Sequence, residues 1–335
     1  MECNTAVTDR RPFSTDHPSR FRFEITSSCS FGCPHCYISD QTRRLMDMSL
    51  DESKRVIDKI TGPPCVKILF QGGEPFERPD FFEIMEYARK KGAAVSVDTN
   101  SWFLNADKIK KLRGLDVESI NITIYGTTAK VNDSFTREGH FDHILEVLNS
   151  ARNDGLEIHL ALLVTRMNFG QIFKIDGFAK KFGVKKVHVD VFLCDKNFKH
   201  RRKYQLGLFQ FLFFWLIIRV FLKLFSSRIH AKPEFKNNPL INVSICDRNK
   251  FPLIKSNGDF WPCLFYEKSI GNILYETPGV LWERLSGFNF GRGLCSSCLE
   301  KKLDGLGQKI MSSNKCALKV FTGAYRLYLK IIRRI

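Results

Sequence analysis

The sequence predicts an α/β fold, a partial (β/α)6 barrel of parallel strands followed by a small cysteine-rich extension. Three observations predict it. From position 21 to about 191, short runs of alternating polarity take turns with longer amphipathic runs, the pattern of repeated β/α units. Six of the short runs are apolar on one face and polar on the other. A second group of cysteines then lies well beyond them. A parallel sheet covered by helices on both faces reads as continuous apolar runs. A closed eight-stranded barrel fills its middle with branched apolar side chains. Strands with one polar face predict helices outside and a wet, polar chamber inside an open barrel.

Each strand is legible because side chains change face at every residue. Run 21–26 sets Phe21, Phe23 and Ile25 against Arg22, Glu24 and Thr26. Run 66–71 sets Ile68 and Phe70 against Lys67 and Gln71, and run 95–100 sets Val95 and Val97 against Ser96, Asp98 and Asn100. Runs 119–125, 157–165 and 187–191 repeat the pattern, with Asn121, Thr123, His159, His188 and Asp190 on the polar side. His188 and Asp190 read either as substrate-facing acid–base groups or as a satisfied buried pair. Helices are expected between the strands. Ser49 and Glu52 have capping-box spacing, and Pro79 opens a helix that stops at Gly92. Asn105 caps a third, 141–153 ends at Gly155, and 168–182 ends at Gly183.

Suspicious residues fall in succession at the C-terminal strand ends, where α/β barrels bind ligands. Cys29, Cys33 and Cys36 follow the first strand. Three thiols in eight residues serve one small inorganic core, and a trio leaves one metal position open for a reactant. Zinc is the alternative, but structural zinc normally closes with a fourth ligand, and His35 inside the loop is poorly placed for that. Gly72-Gly73-Glu74-Pro75 follows the second strand, where two glycines allow close backbone approach and a carboxylate can hold an ammonium.

Composition sets bounds. The chain has 335 residues, 44% apolar and 26% charged, which is a globular balance with room for two domains. Its eleven cysteines are clustered, and positions 1–20 lack the apolar core of a signal peptide. Both point to a reducing cytoplasm and to metal rather than disulfides. A net charge of +17 favours anionic partners.

The run 29–37 resembles the cluster loop of the radical S-adenosylmethionine (SAM) superfamily, CxxxCxxC closed by an aromatic, here Tyr37. The resemblance implies a [4Fe–4S] cluster on Cys29, Cys33 and Cys36 whose open iron chelates SAM. It also implies reductive cleavage to a 5′-deoxyadenosyl radical that abstracts hydrogen from a substrate. An external reductant such as flavodoxin or ferredoxin would supply the electron. Residues 72–75 are similar to the family's GGEP element, so Gly72, Gly73 and Glu74 are expected at the SAM amino group. Asn100 and Thr123 end the third and fourth strands, where related enzymes contact the SAM carboxylate or ribose. The usual Asn-Gly of that third turn reads Asn100-Ser101 here. Arg137 either reaches the SAM carboxylate or is a solvated loop arginine.

Cys246 and Cys263 flank a turn signal at 255–259, and Cys295 and Cys298 supply a second pair. Four sulfurs from two pairs close either a zinc site or a second cluster. The spacing of Cys246, Gly258 and Cys263 resembles the SPASM/Twitch extension, which implies an auxiliary [4Fe–4S] cluster. Only Cys316 remains downstream, so the shorter Twitch form fits, with Cys316 as a substitute ligand. Sulfatase-maturing relatives place an aspartate after the second hairpin cysteine; here Leu264 stands there.

Between barrel and extension, 204–225 holds six phenylalanines and Trp215, with basic residues on both flanks. Its longest uncharged run, 204–218, is short of the ~20 residues that span a bilayer. It reads as a segment dipping into one leaflet of an anionic membrane, or as a helix buried against protein. The expected organisation is a polar tail at 1–20, the barrel at 21–198, the insertion at 199–235, the extension at 240–316 and a basic amphipathic tail at 317–335. The expected function is radical SAM chemistry on a ribosomally made peptide, with SAM as partner and a separate protein recognising any leader. The expected location is the cytoplasm, peripheral on the inner membrane face, and no nucleic acid is expected. The rivals are a radical SAM enzyme acting on a lipid or small molecule, and a membrane-tethered electron carrier.

Overall fold

The computed structural model describes residues 18–36, 46–62, 65–192, 201–207, 210, 241–244, 252–262 and 268–287. Six strands run parallel in sequence order: β1 (Arg20–Thr26), β2 (Lys67–Gly72), β3 (Ala94–Thr99), β4 (Ser119–Ile124), β5 (Ile158–Val164) and β6 (Lys186–Val191). Helices α1 (Leu50–Ile60), α2 (Phe81–Lys90), α3 (Ala106–Gly114), α4 (Ala129–Asn132), α5 (His140–Asp154) and α6 (Ile175–Lys181) alternate with them. Each strand lies within about a residue of its sequence expectation.

The two faces of the strands separate as their alternation requires. Phe21, Phe23, Ile25, Phe70, Val97, Ile122, Leu160 and Val189 are buried in one core with Val56, Ile57, Ile84, Leu112, Ile144 and Ala179 of the helices. Burying each large apolar side chain is worth about 1.5–3 kcal/mol. On the opposite face the polar residues meet in register. Asn121 is opposite Asp98 and His159, and its amide donates to the Asp98 carboxylate at 2.7 Å. His159 Nδ1 lies 3.1 Å from Asn121 Oδ1, and its ring is 5.5 Å from that of His188.

Helix ends follow their local chemistry. The Ser49 hydroxyl accepts from the Glu52 N–H while the Glu52 carboxylate accepts from the Ser49 N–H, a completed capping box on α1. Asn105 Oδ1 accepts from the Lys108 N–H to cap α3. The expected helix over 168–182 divides into a 3-10 turn, Phe169–Phe173, and then α6. Asn168 is spent elsewhere. Its Oδ1 accepts from the Thr165 N–H at 2.7 Å, and its Nδ2 donates to the carbonyls of Tyr125 and Leu163.

The sheet is wider than six strands. After α7 (Arg201–Tyr204), β7 (Ile241–Ser244) adds parallel to β6, and β8 (Leu253–Ile254) adds parallel to β1. β9 (Asp259–Trp261) and β10 (Gly271–Asn272) then add antiparallel, giving the order β10-β9-β8-β1-β2-β3-β4-β5-β6-β7. Runs of two to four residues carry no periodicity, so these strands were not readable in sequence. The turn at 255–259 does form a hairpin between β8 and β9, with Gly258 at φ +85°. Helix α8 (Pro278–Ser286) closes the described extension, its Trp282 packing on Phe21 and Phe260. Lys59 of α1 donates to the carbonyls of Ile273, Leu274 and Glu276.

Tyr37, Cys246, Cys263, Cys295, Cys298 and Cys316 lie outside the described residues, as do most of the apolar insertion and all of the basic tail. Among the described residues no helix is long and apolar enough to cross a membrane.

Candidate functional site

The loop bearing Cys29, Cys33 and Cys36 leaves β1 at the C-terminal rim of the barrel and is fastened from four sides. Asp47, at its far end, accepts from the Thr26 hydroxyl at 2.5 Å and from the Ser27 N–H at 2.8 Å, so both ends of the loop meet. Glu77 accepts from the Ser30 N–H at 2.6 Å. Arg137 donates to the Ser30 carbonyl at 2.7 Å and lies 4.2 Å over the Phe31 ring. It therefore grips the cysteine loop, a role neither sequence reading of Arg137 contained. The fourth side is Gly72-Gly73. A Cβ on either glycine would overlap the Thr26 or Ser28 carbonyl. Their N–H neighbours run back to the same loop, Gly73 to Thr26 and Glu74 to Ser28, each at 2.8 Å. The close backbone approach expected of these glycines is made to the cysteine loop itself.

Glu74 is fully buried and faces inward to protein. One carboxylate oxygen accepts from the Thr99 hydroxyl at 2.7 Å and the Phe76 N–H, the other from the Asn100 N–H at 2.8 Å. Burial pushes its pKa up to about 7, against these hydrogen bonds. The carboxylate ties β2 to the turn after β3. In that turn Ser101 takes the left-handed conformation, φ +69°, that glycine would adopt. Its side chain is buried and the hydroxyl has no hydrogen-bond partner among the described residues.

The Asn100 side chain points at the loop, with Nδ2 3.9 Å from Cys29 Sγ. The Asn100 carbonyl accepts from His140 Nε2 at 2.7 Å, so His140 carries its proton there and accepts on Nδ1 from Thr136 and Asn132. Burial lowers the His140 pKa and favours this neutral form. Thr123 is half-buried on the chamber face of β4, opposite Ala161.

The three cysteines are half-buried and form no disulfide. Burial pushes Cys29 up to about 11, with the Phe31 N–H pulling the other way. Three thiols on one short loop are a donor set that suits iron or zinc. Among the described residues, no three ligating side chains close on a single ion. Three thiolates can each take one iron of a cluster. His35 is also buried, its ring ringed by Tyr125, Phe135, Phe192 and Tyr204 at 4.6–6.5 Å. Burial lowers its pKa to about 4, and it does not join the thiols as a charged group. Asp47, Glu77 and His140 were missed by sequence reading, since no local spacing links them to the loop they hold.

The family model described as Radical SAM superfamily matches residues 23–177, from β1 into α6. Over 169 residues the chain is 29% identical to the mycofactocin maturase MftC of Mycolicibacterium smegmatis, covering 50% of this chain and 43% of that one. It is also 29% identical, over 177 residues, to the AdoMet-dependent heme synthase of Methanosarcina barkeri, covering 52% and 51%. The chain thus spans about half the length of the curated relatives it matches. By structure it is similar to Streptococcus suis SuiB bound to precursor peptide SuiA, with a TM-score of 0.67 at 13% identity, covering 85% of this chain and 69% of that one. That likeness concerns the fold. Residues 23–177, which hold the cysteine loop and strands β1–β5, thus match the radical SAM superfamily, whose enzymes pair a [4Fe–4S] cluster with SAM.

Proposed function

We propose that this chain is a peptide-modifying radical SAM enzyme of the SPASM/Twitch branch. Cys29, Cys33 and Cys36 hold the [4Fe–4S] cluster, and Gly72, Gly73, Glu74, Asn100 and Thr123 shape the SAM site around it, with Tyr37 closing the loop. The observation that carries this reading is the loop of three half-buried cysteines fastened at the C-terminal end of β1. Bound there, the cluster and SAM supply a 5′-deoxyadenosyl radical for hydrogen abstraction. The protein's own part is positional. Gly72-Gly73 and Arg137 set the loop, Glu74 sets the Thr99–Asn100 turn, and the inner faces of β3–β6 offer polar groups to the substrate.

Cys246, Cys263, Cys295 and Cys298 form an auxiliary [4Fe–4S] site in an extension at 240–316. The β8–β9 hairpin supports this, because it fixes the chain just before Cys263 beside β1. A peptide substrate is favoured by the relatives, one a maturase and one crystallised with a precursor peptide. An external low-potential reductant and peripheral contact of 199–235 with an anionic membrane complete the reading. The second reading, a lipid or small-molecule substrate, is favoured by the relative that is a heme synthase and by the apolar insertion.

Anaerobic incubation of dithionite-reduced protein with SAM tests the activity. The expected result is 5′-deoxyadenosine in the wild type and none in Cys33→Ala. Cluster-loaded protein that makes no 5′-deoxyadenosine would instead be an electron carrier.

A further inference from the structure

Asn100 has four polar atoms, and three of them are immobilised. Its backbone N–H donates to Glu74 at 2.8 Å, its carbonyl accepts from His140 at 2.7 Å, and its side-chain Oδ1 accepts from the Trp102 N–H at 2.8 Å. The Trp102 bond fixes the amide orientation, since an N–H cannot face an N–H. The remaining group, the Nδ2 amine, is therefore presented to one neighbour, Cys29 Sγ at 3.9 Å. Cys29 also accepts the Phe31 backbone N–H at 3.4 Å. One thiol of the trio thus takes two N–H donors, one from its own loop and one from the turn after β3.

We propose that Asn100 tunes the cluster by donating its side-chain amide to the ligating sulfur of Cys29. This rests on the cluster reading above and gives Asn100 a role different from contacting SAM. Hydrogen bonds to cluster sulfurs stabilise negative charge there, and the reduced cluster carries one electron more than the oxidised one. The donor therefore favours reduction and raises the potential. Glu74 and His140 act through Asn100 as positioning residues. The arrangement couples the turn after β3 to the redox state of the loop after β1.

An EPR-monitored redox titration of SAM-free, cluster-loaded protein compares wild type with Asn100→Ser. The serine hydroxyl still accepts from the Trp102 N–H but falls short of the sulfur. The variant is expected to keep its iron and to be about tenfold harder to reduce at fixed potential, a midpoint about 59 mV more negative. A second measurement needs no variant. Pulsed EPR of reduced wild type labelled with 15N in the asparagine side chains should show a nitrogen coupled to the cluster spin. An unmoved midpoint on an intact cluster, or no coupled 15N, overturns the inference alone. A wild type that holds no cluster overturns the reading beneath it as well.

Discussion

Lys255 of the β8–β9 turn lies 2.6 Å from the Glu24 carboxylate of β1, and both side chains are almost wholly removed from water. The pair joins residues 231 positions apart and draws the extension against the barrel wall below the cysteine loop. Glu24 keeps a raised pKa in spite of the lysine, because burial outweighs the attraction. The carboxylate is therefore strongly dependent on its partner.

Removing one member should cost far more than a surface ion pair would. Lys255→Met leaves a buried carboxylate unpaired and is expected to destabilise by about 3–5 kcal/mol. Replacing both, Lys255→Met with Glu24→Leu, should recover most of that. Urea midpoints of the two variants against wild type check it. Equal stability of single and double variants would contradict it.

Ser101 should respond in the opposite direction. It holds φ +69° and a buried hydroxyl without a partner among the described residues. The left-handed conformation costs a residue with a Cβ roughly 1–2 kcal/mol, offset in part by the freer unfolded chain of glycine. Ser101→Gly is expected to stabilise by about 1 kcal/mol in chemical denaturation.

Gly73 admits no side chain, because a Cβ there would overlap the Ser28 carbonyl at the entry to the cysteine loop. Gly73→Ala is expected to displace that loop. The purified variant should hold less iron than wild type and make less than a tenth of its 5′-deoxyadenosine, while far-ultraviolet circular dichroism stays unchanged.

Glu74 should leave a pH signature on stability. Its folded pKa of about 7 stands above its ordinary value of 4.5. A raised value means that the folded state binds the proton more tightly. The associated stability is full below the unfolded pKa and is lost as pH rises through the folded one. At about 1.4 kcal/mol per pH unit, the loss across that window is roughly 3 kcal/mol. Urea midpoints at about pH 5 and pH 8 should therefore fall further in wild type than in Glu74→Gln.

The barrel strands were legible because period-two alternation survives in each of them. The polar row through Asp98, Asn121 and His159 could be read before its hydrogen bonds were seen. What could not be read were relationships across the chain. Asp47 reaches back to Thr26 and Ser27, and Arg137 lies more than a hundred residues from the Ser30 carbonyl it holds. Glu74 shows the limit from another side. Its place after β2 was plain from sequence, but its direction, toward Thr99 and Asn100, is set by tertiary packing. Strands β7 and β8 were hidden by brevity.

On the proposed function, Cys29, Cys33 and Cys36 carry a cluster with an iron free to take SAM. The most direct measurement is the low-temperature EPR spectrum of anaerobically reduced protein, with and without SAM. A reduced [4Fe–4S] signal that changes shape on adding SAM, and that disappears in a variant with all three cysteines changed to alanine, is the predicted result. A reduced signal indifferent to SAM, or one that survives the loss of the three thiols unaltered, would contradict the account.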